Sequence, residues 1–203
     1  MKKKIKLENH PSELEYLNYI CGIDESGRGC LSGPVFAAAV ILPKDFESEL
    51  IRDSKKLSEK KRIEAFELIK KVAISWGYSF VEPDVVDKIN IQEATYLAMI
   101  NSVNKLNVKP EHLLVDGNRF TDELGIPYTC VIKGDNKYLS IAAASIVAKV
   151  LRDNYMVDLH KQYPKYKWDS NKGYGSKEHI QKIQTEGVTE HHRKSFLKNI
   201  LKN

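Results

Sequence analysis

Acidic side chains stand where apolar stretches of this sequence end. The residues that share this position are Asp24, Glu25, Asp116 and Asp135. Ligands gather at the carboxyl ends of strands in open α/β sheets, so acidic groups brought there by separate strands are typical of a metal site. Because carboxylates offer only oxygen ligands, this set favours Mg²⁺ or Mn²⁺ over zinc.

Each of these residues also has a purely structural explanation. Asp135 could cap the helix that follows it, and Asp116 could start a turn with Gly117. Asp24 and Glu25 could be solvated in a loop. Adjacent residues on a regular strand point to opposite faces, so either the first strand bulges or ends at this pair, or Glu25 contributes differently, for example through its backbone carbonyl.

The elements that must position these groups alternate between strand and helix patterns. Apolar and β-branched runs predict strands over residues 16–23, 35–42, 73–81, 112–116 and 128–132. Helices are predicted from Ser58, over 90–106 and 138–163, and from about Ser176. The third helix is apolar nearly all round between Leu139 and Leu151, which predicts that it is buried in the middle of one α/β or α+β domain with a mixed sheet.

Composition narrows the class of protein. The 203 residues are 42% hydrophobic, enough for one sizeable core, and 32 Lys and Arg against 27 Asp and Glu mildly favour a polyanionic partner. Basic residues concentrate at both ends of the chain, where a solvated tail is the alternative, and we expect His191 and His192 at the surface. The three cysteines show no Cys-x-x-Cys spacing and no apolar run could cross a bilayer, so we expect a soluble, cytoplasmic protein without a membrane partner.

Five sequence blocks, in order, resemble the signature of the type 2 ribonucleases H, the bacterial ribonuclease HII family. They are GIDESGRGCLSGPV, DSKKLS, LLVDGNR, VIKGDNKYLSIAAASIVAKVLRD and NKGYGSKEH. The resemblance spans about residues 17–196 of a single domain and implies an α/β, ribonuclease H-like fold: a five-stranded mixed sheet flanked by helices, with further C-terminal helices. It places the family's metal-binding and catalytic carboxylates on Asp24, Glu25, Asp116 and Asp135.

The chain departs from the family pattern at three small residues. Ser26, Cys30 and Ser32 stand where the family usually has Ala, Pro and Ala. Without proline's fixed φ at position 30, the turn could be looser. The related type 3 enzymes carry an extra N-terminal domain and lack Gly-Arg-Gly, so type 2 is the better match.

The reaction that the resemblance implies is hydrolysis of the phosphodiester 5′ of a ribonucleotide, in an RNA–DNA hybrid or embedded in duplex DNA. It would leave 5′-phosphate and 3′-hydroxyl ends. Two Mn²⁺ or Mg²⁺ ions would hold the attacking water and the departing oxygen, with Asp24 shared between them. Gly27, Arg28 and Gly29 would read the 2′-hydroxyl through backbone groups, since glycine allows close approach, although a tight turn would also need glycine.

Further substrate contacts are expected from three residues. Tyr174 resembles the family tyrosine that stacks on the deoxyribose of the next nucleotide, although an exposed loop aromatic is the alternative. Lys55 and Lys149 are candidates for phosphate contacts. Lys149 lies in an apolar helix and could instead pair with a protein carboxylate, and Asp153, four residues on, is left out of the catalytic set.

Two other functions stay open at this point. A proofreading 3′ exonuclease also uses four carboxylates but has no need of Gly-Arg-Gly. A catalytically inactive duplex-binding module would fit the basic balance and would require no metal. We expect a monomer, and the sequence does not indicate a sliding-clamp partner.

Overall fold

A five-stranded mixed sheet forms the centre of the structure, a computed structural model that describes residues 7–121 and 123–201. The strands are β1 (Ile20–Ser26), β2 (Val35–Ile41), β3 (Ser75–Val81), β4 (His112–Asp116) and β5 (Tyr128–Val131). Their order is β3-β2-β1-β4-β5, with β1 antiparallel to β2 and parallel to β4. The predicted sheet is confirmed, while the first six residues, with their lysines, lie outside the described part.

Helices cover both faces of this sheet. They are α1 (Glu59–Val72), α2 (Pro83–Val103), α3 (Leu139–Gln162), α4 (Trp168–Asn171) and α5 (Lys177–Glu186). Successive side chains of β2 point to opposite faces of the sheet, so the core has two parts. Ala38 and Val40 pack with α1 and α3, whereas Ala37 and Ala39 pack with α2. Within the described residues, no helix is long and apolar enough to span a bilayer.

Capping side chains begin two of the predicted helices. The Ser58 hydroxyl accepts the Lys61 N–H at the start of α1, and Ser176 does the same at α5. Asn90 accepts two backbone N–H groups, as expected of a cap, yet it lies inside α2 as a kink with φ 67°. The preceding helical turns, which start at Pro83, were not predicted.

α3 is the central helix of the fold, and every residue from 139 to 148 is buried, as predicted. A Cβ on Gly22 of β1 would lie 2.1 Å from the carbonyl carbon of Ser140, so only glycine allows β1 and α3 to come this close. This close approach brings the carboxyl half of β1 against the same helix.

Candidate active site

β1 continues without interruption through the first pair of carboxylates. Asp24 pairs with Ala38 and Glu25 with Ala37 in one antiparallel register that runs on to Ser26. The alternative that the strand bulges or ends at this pair is therefore wrong, because the apolar β2 offers a partner at every position. The other alternative, that Glu25 contributes differently from Asp24, stays open. The two side chains leave opposite faces of the sheet, Asp24 towards α3 and Glu25 towards the α2 side.

Asp24 is a buried carboxylate at the interface of β1 and α3. Its side chain is 6% exposed, and it accepts hydrogen bonds from the Glu25 N–H and the Ser145 hydroxyl. Ser145 in turn lies 2.9 Å from the Ser54 hydroxyl. Burial, followed by the negative charges of Glu25 and Asp116, raises the pKa of Asp24 well above its usual range.

Asp116 ends β4 and holds the next acidic segment in place. Its Oδ1 accepts the Gly134 N–H at 2.7 Å, which ties the strand to the 3₁₀ turn Gly134–Asn136. The side chain therefore bonds a residue 18 positions away rather than only closing a local turn. This hydrogen bond places Asp135 beside the end of β4.

Asp135 lies in that 3₁₀ turn and is 7% exposed. The residue that caps α3 is Tyr138, without a side-chain hydrogen bond, so the alternative that Asp135 caps this helix is wrong. Burial, then the charge of Asp53, raises the pKa of Asp135. The Asn136 amide donates to both carboxylates, at 2.8 Å to Asp135 and 3.3 Å to Asp53.

Asp53 is an acidic neighbour that the sequence analysis missed, although it begins the block DSKKLS. Burial acts to raise its pKa, but the Lys55 N–H, the Asn136 amide and the charge of Lys56 lower it overall. Lys55 itself is exposed, and its charge also lowers the pKa of Glu25. The predicted phosphate contact thus lies within electrostatic reach of the acidic residues.

The carboxylate cluster, which we define as Asp24, Glu25, Asp116 and Asp135, is one electrostatic unit. The charge of Asp116 raises the pKa of each of the other three. For Glu25 the main cause is burial, and Arg28 opposes the shift. Among the residues that the structure describes, no three or more His, Cys, Asp or Glu side chains already form a group that could hold a metal ion. The donor set and its repulsion nevertheless suit hard divalent cations, which would draw the side chains together.

The glycine loop, residues 27–34, lies next to this cluster. Gly27 has φ 95°, and a Cβ there would lie 2.0 Å from Nε of Arg152, so packing alone requires glycine. At exposed Gly29, a Cβ would meet no described atom within 4 Å. The tight-turn alternative therefore explains Gly27, whereas the space beside Gly29 is open to a ligand.

Substituting these two glycines by alanine should separate packing from ligand contact. Gly27→Ala is expected to lower stability by about 1–3 kcal/mol from backbone strain, or roughly 2–10 °C in melting temperature. Gly29→Ala should stay within about 0.5 kcal/mol of wild type, as an exposed substitution without a clash. Thermal melting of both variants checks this, and an equal loss at Gly29 would contradict the open space seen there.

The ring of Tyr174 lies close to the side chain of Lys149, a residue of α3. The Tyr174 ring is 43% exposed, with the Lys149 ammonium 5.9 Å and the Arg152 guanidinium 5.8 Å from its centre. Lys149 forms an ion pair of 2.6 Å with Asp153, so the alternative of a protein carboxylate partner is confirmed. Arg28 is exposed and lies 3.7 Å from the carboxylate of Glu25.

Comparison with known proteins decides the family. The model of the Ribonuclease HII family matches residues 21–199. The chain belongs to the ribonuclease HII family. The Ribonuclease HII of Parabacteroides distasonis is 57% identical over 175 residues, which cover 86% of this chain and 88% of that protein.

Solved structures agree with this ribonuclease HII assignment. Ribonuclease H2 from Pyrococcus horikoshii superimposes with a TM-score of 0.76 at 22% identity, covering 90% of this chain and 97% of the other. The RNase HII chain of the PCNA:RNase HII complex from Archaeoglobus fulgidus has a TM-score of 0.71 at 28% identity, covering 86% and 93%. The ribonuclease H-like fold is therefore confirmed, and the chain is a type 2 ribonuclease H, a metal-dependent endonuclease.

The basic C-terminal segment of this ribonuclease HII is buried at its start, whereas its residues Lys194 and Lys198 are exposed. His192 is 1% exposed and Arg193 is fully buried, while His191 is half-buried, so the prediction of a surface position is wrong for His192. His192 packs its ring against Tyr166 and its backbone bridges to Ser32. Burial lowers the pKa of His192 to about 4 and that of Arg193 to about 10. The basic composition of this segment gave no indication in the sequence that His192 and Arg193 are buried.

Proposed function

We propose that this ribonuclease cleaves the phosphodiester on the 5′ side of a ribonucleotide, in RNA–DNA hybrids or embedded in duplex DNA. Cleavage leaves a 5′-phosphate and a 3′-hydroxyl. The observation that carries the proposal is the position of Asp116, whose charge reaches Asp24, Glu25 and Asp135 beside a loop that is open at Gly29. An acidic cluster next to an accessible glycine backbone is what a metal-dependent enzyme that senses a 2′-hydroxyl requires.

The carboxylate cluster would hold two Mn²⁺ or Mg²⁺ ions. Bound there, such ions stabilise the attacking and leaving oxygens of an in-line displacement and lower the pKa of water. Asp24 is the candidate for the carboxylate that both ions share. Fixed hydrogen bonds orient the ligands beforehand: the Ser145 hydroxyl for Asp24 and the Gly134 N–H for Asp116. Lys55 is a proposed phosphate contact, and so is Lys149, whose ammonium would have to meet the phosphate while it pairs with Asp153.

The backbone of Gly27, Arg28 and Gly29 is proposed to read the ribose. The Arg28 carbonyl already accepts a hydrogen bond of 2.8 Å from Arg193. A carbonyl has a second lone pair, and the amide N–H of Gly29 is a further donor, so the loop can both donate to and accept from a 2′-hydroxyl. Arg28, exposed beside Glu25, can meet a phosphate with its guanidinium.

One labelled substrate tests this function against the two alternatives. The substrate is duplex DNA with a single ribonucleotide, incubated with Mg²⁺, with Mn²⁺ or with a chelator, and the matched all-DNA duplex is the control. We expect one incision 5′ of the ribonucleotide, only with metal. Stepwise shortening from an end would indicate an exonuclease, and metal-independent binding without cleavage would indicate a binding module.

Tyr174→Ala is expected to reduce cleavage at a single embedded ribonucleotide about tenfold to a hundredfold. The reason is the loss of one ring–sugar stacking contact, worth about 1–3 kcal/mol if it resembles stacking on bases. Cleavage within a long RNA–DNA hybrid should change less, because no deoxyribose follows the cleaved position there. Kinetics on both substrates check this, and an equal loss of metal binding, measured by calorimetry, would contradict the role.

A further inference from the structure

Two fully buried arginines donate their side-chain hydrogen bonds to backbone carbonyls and not to acidic side chains. Arg152 and Arg193 are each 0% exposed, and no carboxylate of the described residues lies within ion-pair distance of either. Buried guanidinium groups are costly unless hydrogen bonds compensate them. Here backbone carbonyls supply that compensation, and most of these carbonyls belong to the glycine loop.

Arg152 on α3 joins the glycine loop to a second loop. Its Nε donates to the Pro34 carbonyl at 3.1 Å and its Nη2 to the Ser32 carbonyl at 3.2 Å. Its Nη1 donates to the Lys172 carbonyl at 2.9 Å. Lys172 belongs to the tyrosine segment, residues 172–176. One rigid, planar side chain thus fixes the spacing of two loops.

The same side chain also contacts both proposed recognition elements. The absent Cβ of Gly27 would lie 2.0 Å from Nε of Arg152, and the guanidinium carbon lies 5.8 Å from the centre of the Tyr174 ring. Backbone bonds support this arrangement, since the Gly173 carbonyl accepts the Leu31 N–H at 2.8 Å. Any shift of Arg152 would therefore move the ribose-reading backbone and the tyrosine relative to each other.

Arg193 holds the glycine loop from its other side. Its Nη1 donates to the Arg28 carbonyl at 2.8 Å, and its Nε and Nη2 both donate to the Gly33 carbonyl, at 3.0 and 2.8 Å. Its own backbone N–H donates to Leu31. Arg193 thus anchors the middle residue of Gly-Arg-Gly and makes no hydrogen bond to the described residues of the tyrosine segment.

We propose that Arg152 and Arg193 are positioning residues for sugar recognition, an inference that rests on the proposed function. Arg193 sets the shape of the glycine loop, which receives the ribonucleotide. Arg152 sets the distance from that loop to Tyr174, which receives the following deoxyribose. The two residues therefore differ in which substrate they favour: Arg152 matters most where a ribonucleotide is followed by a deoxyribonucleotide, and Arg193 matters wherever a ribonucleotide is bound.

The test compares two substrates in two variants. Arg152→Gln and Arg193→Gln remove most of the donors without leaving a buried charge, and kcat/KM is measured on duplex DNA with one ribonucleotide and on a long RNA–DNA hybrid. For Arg152→Gln we expect a loss of about a hundredfold on the single ribonucleotide and a loss at least tenfold smaller on the hybrid. For Arg193→Gln we expect similar losses on both. The Mn²⁺-induced rise in melting temperature should persist in both variants.

Two further variants separate positioning from general stability. Ile69→Ala, in the α1 core and 0% exposed, should lower the melting temperature without changing the ratio of the two activities. If Arg152→Gln does not fold, Gly173→Ala decides, because a Cβ there would lie 2.4 Å from the Ser32 carbonyl oxygen and push the same two loops apart. If the ratio of kcat/KM on the two substrates is unchanged in Arg152→Gln, or in Gly173→Ala when Arg152→Gln does not fold, the inference is wrong. If the wild type does not cut at the ribonucleotide, the proposed function is wrong.

Discussion

Replacing Asp24 by Asn is expected to lower cleavage about a thousandfold and to raise the melting temperature of the metal-free protein. The activity should fall because a carboxylate shared between two ions, as proposed for Asp24, would contribute several kcal/mol to the transition state, and each 1.36 kcal/mol is about tenfold in rate. The stability rises because the buried Asp24 carboxylate is repelled by Glu25 and Asp116. Single-turnover kinetics and thermal melting in chelator measure the two effects.

A matched control for this variant is Asp84→Asn. Asp84 is an exposed acid in the first turn of α2 and bonds Lys88 at 2.9 Å. Removing its charge should leave cleavage unchanged and alter stability by only a few tenths of a kcal/mol. If Asp24→Asn behaved like this control in both measurements, the assignment of Asp24 as a metal ligand would be wrong.

Divalent metal is expected to stabilise the protein through the carboxylate cluster. At one hundred times the dissociation constant, binding contributes about 2.7 kcal/mol, or roughly 5–10 °C in melting temperature for a chain of this size. Asp116→Asn and Asp135→Asn should each abolish most of this rise together with activity, because each removes a ligand. Calorimetric melting with Mg²⁺, Mn²⁺ and chelator measures it, and rises equal to that of the wild type would rule out these ligands.

In the metal-free protein, the contribution of the carboxylate cluster to stability is expected to fall as the pH rises. Asp24, Glu25 and Asp135 have a pKa above the ordinary value, so they bind protons more tightly in the folded state. Their contribution to stability is complete below the ordinary pKa of about 4 and is lost as the pH rises through the raised values. The melting temperature of Asp24→Asn should therefore exceed that of the wild type by more at neutral pH than at pH 4. A gap that narrowed with rising pH would contradict the raised pKa.

The sequence was informative where a residue's role depends on its own element. The carboxylate cluster could be proposed because each acid lies near the carboxyl end of an apolar run or precedes the buried helix, and the carboxyl ends of such strands share one edge. The start of α1 could be predicted because Ser58 caps it locally. The family blocks then narrowed the expected fold from a general α/β or α+β domain to a ribonuclease H-like fold.

The sequence was uninformative where a role depends on contacts between distant segments. Arg152 and Arg193 bond carbonyls more than 100 positions away, and a carbonyl carries no residue type that a pattern could reveal. Asp53 is acidic, but its link to the acidic residues depends on a hydrogen bond from the amide of Asn136, 83 positions later. The continuation of β1 through Asp24 depends on pairing with β2, which overrides the local preference for a break at adjacent charges.

The glycine loop is bound to residues that follow it by about 160 positions in the chain. Gly33 donates to the His191 carbonyl, Arg193 donates to Leu31, and Ser32 bridges to His192. A nascent chain therefore contains the sequence of all five strands before these partners of the loop have been synthesised. A fragment that stopped before position 191 would hold the acidic residues but would lack these contacts of the loop that we propose reads the ribose.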